Sequence, residues 1–223
     1  MKNEKNHLSG KPEWGHDSFG NAYIWGCNEV PHRLFRFRIY GDAVCGIADY
    51  EETVKAKDLM IYRHATKYTT AGKNIREYFQ TAAKETSLEK CESEYEKAVC
   101  LMNRLYSDFG YEKGVTDVHT PAEEAFSIRK GVCQDYSHIL ISLLQLAGCS
   151  ARYVTGFLLG EGASHAWVEV ADHGKWYGVD PTNHLVVSDS HIRIGVGRMP
   201  RNVRLTEESL QAAESRRSRH SRV

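Results

Sequence analysis

Two periodicities divide the chain. In "HRLFRFRIYGDAVCGIADY", residues 32–50, Phe35, Phe37 and Ile39 alternate with Leu34, Arg36 and Arg38. That is the period of a strand with one wet face, broken at Gly41-Asp42 before a second strand-like run. Ahead of it, "DSFGNAYIWG" sets turn residues around Gly20-Asn21 before a short aromatic run, which predicts a hairpin. From Thr86 the spacing becomes helical. Tyr95, Val99, Met102, Leu105 and Phe109 form one apolar stripe, Thr86 and Glu89 fit a capping box, and Gly110 supplies a stop.

"GYEKGVTDVHTPAEEAF" then reads as a loop leading into a short helical piece. After Cys133 the helical period returns through Ile139, Leu140, Leu143, Leu144 and Ala147, with Gly148 as a natural end. Three strand-like runs follow: "ARYVTGFLL", "SHAWVEV" and "KWYGVD". Strands, then helices, then strands that read as antiparallel make an α+β protein, not a doubly wound sheet. "DHGK" predicts a tight hairpin centred on His173-Gly174. Pairing Ala171 with Trp176 sets Trp167 opposite Asp180 and His165 opposite Thr182. Asp180 is then the diagonal neighbour of His165 on one face, and a slip of one residue would send it to the other.

Composition narrows the field. The chain has 223 residues, and its 29 Lys+Arg match its 29 Asp+Glu. Nothing in that balance draws the body of the protein to nucleic acid or to an anionic membrane. The polar start "MKNEKNHLSGKPEWG" has no secretory apolar core, and no run approaches the ~20 apolar residues of a membrane span. The expected location is cytoplasmic, with thiols reduced. Six cysteines, at 27, 45, 91, 100, 133 and 149, include no C-x-x-C pair, and His184 and His191 match no compact ligand spacing. No metal or other cofactor is expected. The arginine-rich end "ESRRSRHSRV" reads as a disordered tail.

Cys133 differs from the other cysteines by its position at the start of a helix, where orphan amides and the dipole favour an anion. A thiolate is such an anion, and such placement lowers a cysteine's pKa from its ordinary ~8.5. A nucleophilic thiol also needs a base and an acceptor to orient that base. His165 and Asp180 meet both needs if the register holds. Taken singly, each of the three has an ordinary alternative: a small buried residue, a surface histidine and a turn aspartate.

The blocks "GVCQDYSHILISLLQLAG", "GASHAWVEV" and "WYGVDPTN" resemble the core of the transglutaminase-like superfamily, in its bacterial branch of cysteine-protease type. "DSFGN", "LFRFRIYGDAV" and "HIRIGVGR" extend the resemblance from about Asp17 to Arg204. It implies a papain-like α+β core in which a nucleophile-bearing helix packs on an antiparallel sheet. It puts the motif cysteine on Cys133, the histidine on His165 and the aspartate on Asp180, with a thioester as the shared intermediate. The chain departs from the family in a shortened N-terminal β region and in Met199-Pro200 after "GVGR".

The expected organisation is a shortened β-rich segment at 1–80, a catalytic core at 81–205 and the basic tail at 206–223. Tyr111, Gln134, Trp167 and Asn183 are candidates for shaping the cleft. The leading expectation is a thiol-dependent hydrolase of peptide or isopeptide amide bonds, with a peptide or protein substrate. A transglutaminase-type acyltransferase and a catalytically silent peptide-binding module are the alternatives, and the oligomeric state is open.

Overall fold

A computed structural model describes residues 13–25, 52–160 and 163–200. Its centre is a five-stranded antiparallel sheet of β5 (Ala151–Leu158), β6 (Ser164–Asp172), β7 (Lys175–Asp180), β8 (Leu185–Val186) and β9 (His191–Gly197), in the order β8-β7-β6-β5-β9. The helices are α1 (Ala56–Arg63), α2 (Lys73–Glu85), α3 (Glu94–Asp108), α4 (Ala122–Ile128) and α5 (Cys133–Leu146). An N-terminal hairpin pairs β1 (Glu13–His16) with β2 (Ala22–Trp25), and a short parallel pair joins β3 (Gly110–Tyr111) to β4 (Lys130–Gly131). Among the described residues no helix is long and apolar enough to cross a membrane.

The sheet has two apolar faces. Ala166, Val168 and Val170 of β6 join Ile139, Leu140, Leu143 and Leu144 of α5, with Leu101 and Leu105 of α3, in the main core. Trp167, on the other face, packs with Val154 and Val196 in a smaller cluster. The turn between β6 and β7 has positive φ at both His173 (44°) and Gly174 (80°), as a tight twisted hairpin requires. Its ladder runs from Asp172↔Lys175 through Ala171↔Trp176 to Val168↔Val179, the register expected from the sequence.

Two boundaries differ from expectation. The division at residue 80 falls inside α2, whose Ile75, Tyr78 and Ala82 belong to the main core, and α1 also lies where β structure was expected. The N-terminus of α2 is capped from a distance: the Glu123 carboxylate of α4 accepts from the amides of Gly72, Asn74 and Ile75 at 2.9, 2.7 and 3.2 Å. No local signal marks such a start. Thr86, expected to open the next helix, closes α2 instead, its hydroxyl donating to the Ala82 carbonyl at 2.8 Å. Ser87 then turns the chain at φ 51°, and α3 begins after Ser93, whose Oγ accepts from the Glu96 amide. The alternating run at 32–50 and the tail lie outside the described residues.

The N-terminal hairpin docks on the sheet through its turn. Asp17 accepts from the amides of Phe19 and Asn21, and the Asn21 side chain meets both the N–H and the carbonyl of Val196 at 2.7 Å. The "DSFGN" turn thereby covers part of the outer edge of β9.

Candidate active site

Cys133 is the first residue of α5, and its approach is held on two sides. Val132 is extended, and the Asp135 carboxylate accepts from its amide at 2.8 Å and from the Thr116 hydroxyl at 2.6 Å. From the other side Gly131 pairs with Tyr111, and its carbonyl accepts from the Glu112 amide at 2.9 Å. A Cβ on Gly131 would stand 2.5 Å from the Asp135 carboxylate, so glycine is required by the close approach. Burial raises the Asp135 pKa against the opposing bonds from Thr116 and Val132. These contacts fix where the thiol begins.

His165 enters from the start of β6 and is 3% exposed. Its Nε2 lies 2.7 Å from Asp180 Oδ2, and the imidazole also hydrogen-bonds Cys133. Burial by itself would lower its pKa. The Asp180 carboxylate and Cys133 oppose that more strongly, and the group is raised to about 10, so the protonated ring is favoured at neutral pH.

Asp180 closes β7 just before Pro181 and is fully buried. Its Oδ1 accepts from the amides of Thr182 at 3.0 Å and Asn183 at 3.2 Å. Its Oδ2 faces His165, the Asn183 side-chain amide at 2.9 Å and His191 Nε2 at 3.2 Å. Burial pushes its pKa up, but the bonds from His165 and His191 and the facing charge hold it well below the usual carboxylate range.

The structure brings Cys133, His165 and Asp180 together and sorts the four cleft candidates differently. Tyr111 is 52% exposed and sits beside the loop that delivers the nucleophile. Gln134 is half-buried, and its side-chain amide donates to the Asp117 carbonyl at 3.3 Å. Trp167 does not line a cleft. It is 1% exposed, its indole lies over Gly156, and the second apolar cluster closes around it. Asn183 serves the aspartate, donating to it through both backbone and side chain.

His191 is the member that sequence spacing missed. Seen with His184 as a possible ligand pair it signalled nothing, and the structure separates the two. His184 contacts Asn103 at 2.8 Å and stacks on Tyr106, whereas His191 reaches Asp180. The usable signal was its place at the head of the alternating "HIRIGVG" run, which becomes β9. The ligand atoms of His165, Asp180 and His191 all lie within 4.8 Å of one another, close enough to hold a metal ion. An ion there would take the place of the His165–Asp180 hydrogen bond.

The other described cysteines lack this setting. Burial pushes up the thiol of Cys149, and it pushes Cys91, whose Sγ lies 3.6 Å from that of Cys100, up to about 11.

The profile of the transglutaminase-like superfamily matches residues 80–181, a range that contains Cys133, His165 and Asp180. These residues are similar to the transglutaminase-like core over a little under half of the chain. The transglutaminase-like fold is also that of the crystal structure of a candidate cysteine protease from Cytophaga hutchinsonii, similar at a TM-score of 0.56 and 26% identity over 67% of this chain and 50% of that one. An uncharacterized protein of Mycobacterium tuberculosis is 36% identical over 114 residues, covering 44% of this chain and 36% of its own. One of Mycobacterium leprae is 38% identical over 102 residues, covering 41% and 36%. The chain thus spans about a third of the length of the curated relatives it matches.

Proposed function

We propose that the transglutaminase-like core is a thiol-dependent hydrolase of peptide or isopeptide amide bonds. One observation carries the reading: a single buried imidazole is bonded to Asp180 at 2.7 Å and also to a cysteine at the first position of a helix. With Nε2 committed to Asp180, Nδ1 is the ring nitrogen that takes the thiol proton. Cys133 Sγ adds to the amide carbon, and the oxyanion is met by the Cys133 N–H, one of the first-turn amides that have no intrahelical acceptor. His165 returns the proton to the leaving nitrogen as the C–N bond breaks, leaving a thioester and a free amine. Water then attacks the thioester with His165 as base, releasing the acid and restoring the thiol. Asp180 keeps the ring oriented and offsets its charge throughout.

Tyr111 and Gln134 flank the loop through which a substrate would reach Sγ. The protein acts without a cofactor in this reading. The test is incubation with unfolded protein and glutamine-containing peptides, read by mass spectrometry with and without a labelled primary amine. New chain termini or ammonia release, lost in Cys133→Ala, support hydrolysis. Incorporation of the amine would replace hydrolysis with acyl transfer. Peptide binding without turnover, retained in Cys133→Ala, would establish a silent module and end the enzymatic reading.

A further inference from the structure

Asp180 is shared by two imidazoles. His191 opens β9 with its side chain fully buried, and its Nε2 lies 3.2 Å from Asp180 Oδ2. Its Nδ1 accepts from the Ser188 amide at 3.4 Å and lies 3.3 Å from Ser190 Oγ. A ring nitrogen that accepts a backbone N–H carries no hydrogen itself, so the ring hydrogen is on Nε2 and is donated to Asp180. The ring meets the Trp167 indole edge-on at 5.3 Å, and the same indole stacks beside His165 at 6.2 Å.

The contact is not one the sheet needs. β9 and β7 are separated by β5 and β6, so no ladder bond joins them, and His191 reaches Asp180 across two intervening strands. The backbone amides of Thr182 and Asn183 hold only Oδ1. Oδ2 is left to side-chain donors, and its position decides where His165 Nε2 is held and hence where the rest of the ring lies relative to Cys133.

We propose that His191 is a positioning residue for the thiol–imidazole pair, its Nε2–H fixing Asp180 Oδ2 so that His165 stays aligned with Cys133. The inference rests on the nucleophile reading given above. It concerns alignment, where a displacement of about 1 Å is enough to cost on the order of 100-fold in rate. The donated hydrogen bond matters here, and a side chain that keeps a donor should keep the function.

The experiment follows iodoacetamide alkylation of Cys133 across pH 5 to 9 by peptide mapping, and so requires no substrate. His191→Phe keeps a ring without a donor, His191→Gln keeps an N–H donor, and His165→Ala is the reference. His191→Phe should slow alkylation near neutral pH about tenfold and move the profile towards that of His165→Ala, while His191→Gln stays within about threefold of wild type. A wild-type profile in His191→Phe, or equal loss in the Phe and Gln variants, overturns the proposal. If wild type and His165→Ala share one profile, the nucleophile reading itself fails, a separate result. Nitrogen-15 NMR of the folded wild type gives a readout free of variants: a protonated Nε2 on His191 supports the proposal, and a protonated Nδ1 refutes it.

Discussion

One face of β6 carries two polar networks with opposite characters. His165, Trp167 and Glu169 alternate along that face. At one end His165 belongs to the candidate site. At the other, Glu169 accepts from Arg152 Nε at 2.7 Å, and Arg152 also reaches both carboxylate oxygens of Glu52 at 3.0 and 2.7 Å. Arg193 adds contacts to Glu52 at 2.8 Å and Glu169 at 3.3 Å, and the Arg152 guanidinium lies over Trp176. Two guanidinium groups thus meet two carboxylates. The hydrogen bonds from Arg152, with the nearby positive charge, hold the Glu52 carboxyl down at about 2.

Both networks have buried centres, although Glu52 and Arg193 keep partial exposure, and both are rich in hydrogen bonds. They differ in how charge is compensated. In the arginine network the cations are permanent, because a guanidinium does not release its proton in a protein. In the site the cation is an imidazole, which exchanges a proton, and the chain of bonds ends on a thiol. A buried network becomes chemically active where its compensating charge can move. Trp167 lies between the two along the face.

The strongest test of that contrast removes the mobile end. Cys133→Ala should abolish turnover and shift the melting temperature only slightly, since the thiol is only partly buried at the margin of the core. His165→Ala should lower kcat/KM by about 10²–10⁴-fold, the usual range for loss of a general acid–base. Turnover at the wild-type rate in either variant would dissolve the distinction. Asp180→Asn comes next. It leaves the strand intact but gives His165 a neutral acceptor, with an expected loss of about 10²-fold or more.

The opposite network should respond in the other currency, stability. Arg152→Met leaves Glu169 and Glu52 without their main partner and should cost about 3 kcal/mol, measured by urea denaturation. The Cys133 alkylation rate in the folded variant should match wild type. A drop in that rate would show that the two networks communicate through β6.

The sequence carried much of this arrangement because the decisive information was local. The His173-Gly174 turn fixed the β6–β7 register, and register alone delivers Asp180 to the face of His165. The helical period after Cys133 placed the thiol at a helix start in the same way. What escaped depends on contacts remote in sequence. The start of α2 is capped by Glu123, about 50 residues away, so no local pattern marked it. Trp167 was read as a cleft candidate because alternation identifies two faces without saying whether the second is covered. Val154 and Val196, from two other strands, cover it. His191 was missed for the same reason: its partner lies on a strand that is not its neighbour.

The last comparison is the pH dependence of stability, which separates the networks by sign. His165 is raised from 6.5 to about 10 on folding, with burial opposing and the Asp180 bond prevailing. A group whose pKa is raised in the folded state stabilises fully below its unfolded value, and that contribution fades as pH climbs through the folded one. The site should therefore lose stability between about pH 6.5 and pH 10. Glu52 is lowered from 4.5 to about 2, so the arginine network is intact above the ordinary carboxylate range and weakens only as pH falls towards 2. Melting temperatures of wild type and Asp180→Asn from pH 7 to 10 test the first part. The variant lacks the carboxylate that raises His165, so its curve should be flatter, while thiols and tyrosines shared by both proteins cancel in the difference. Parallel curves would mean that the Asp180–His165 bond does not favour the imidazolium, and the proton would then have to be placed elsewhere along the chain from Asp180 to Cys133.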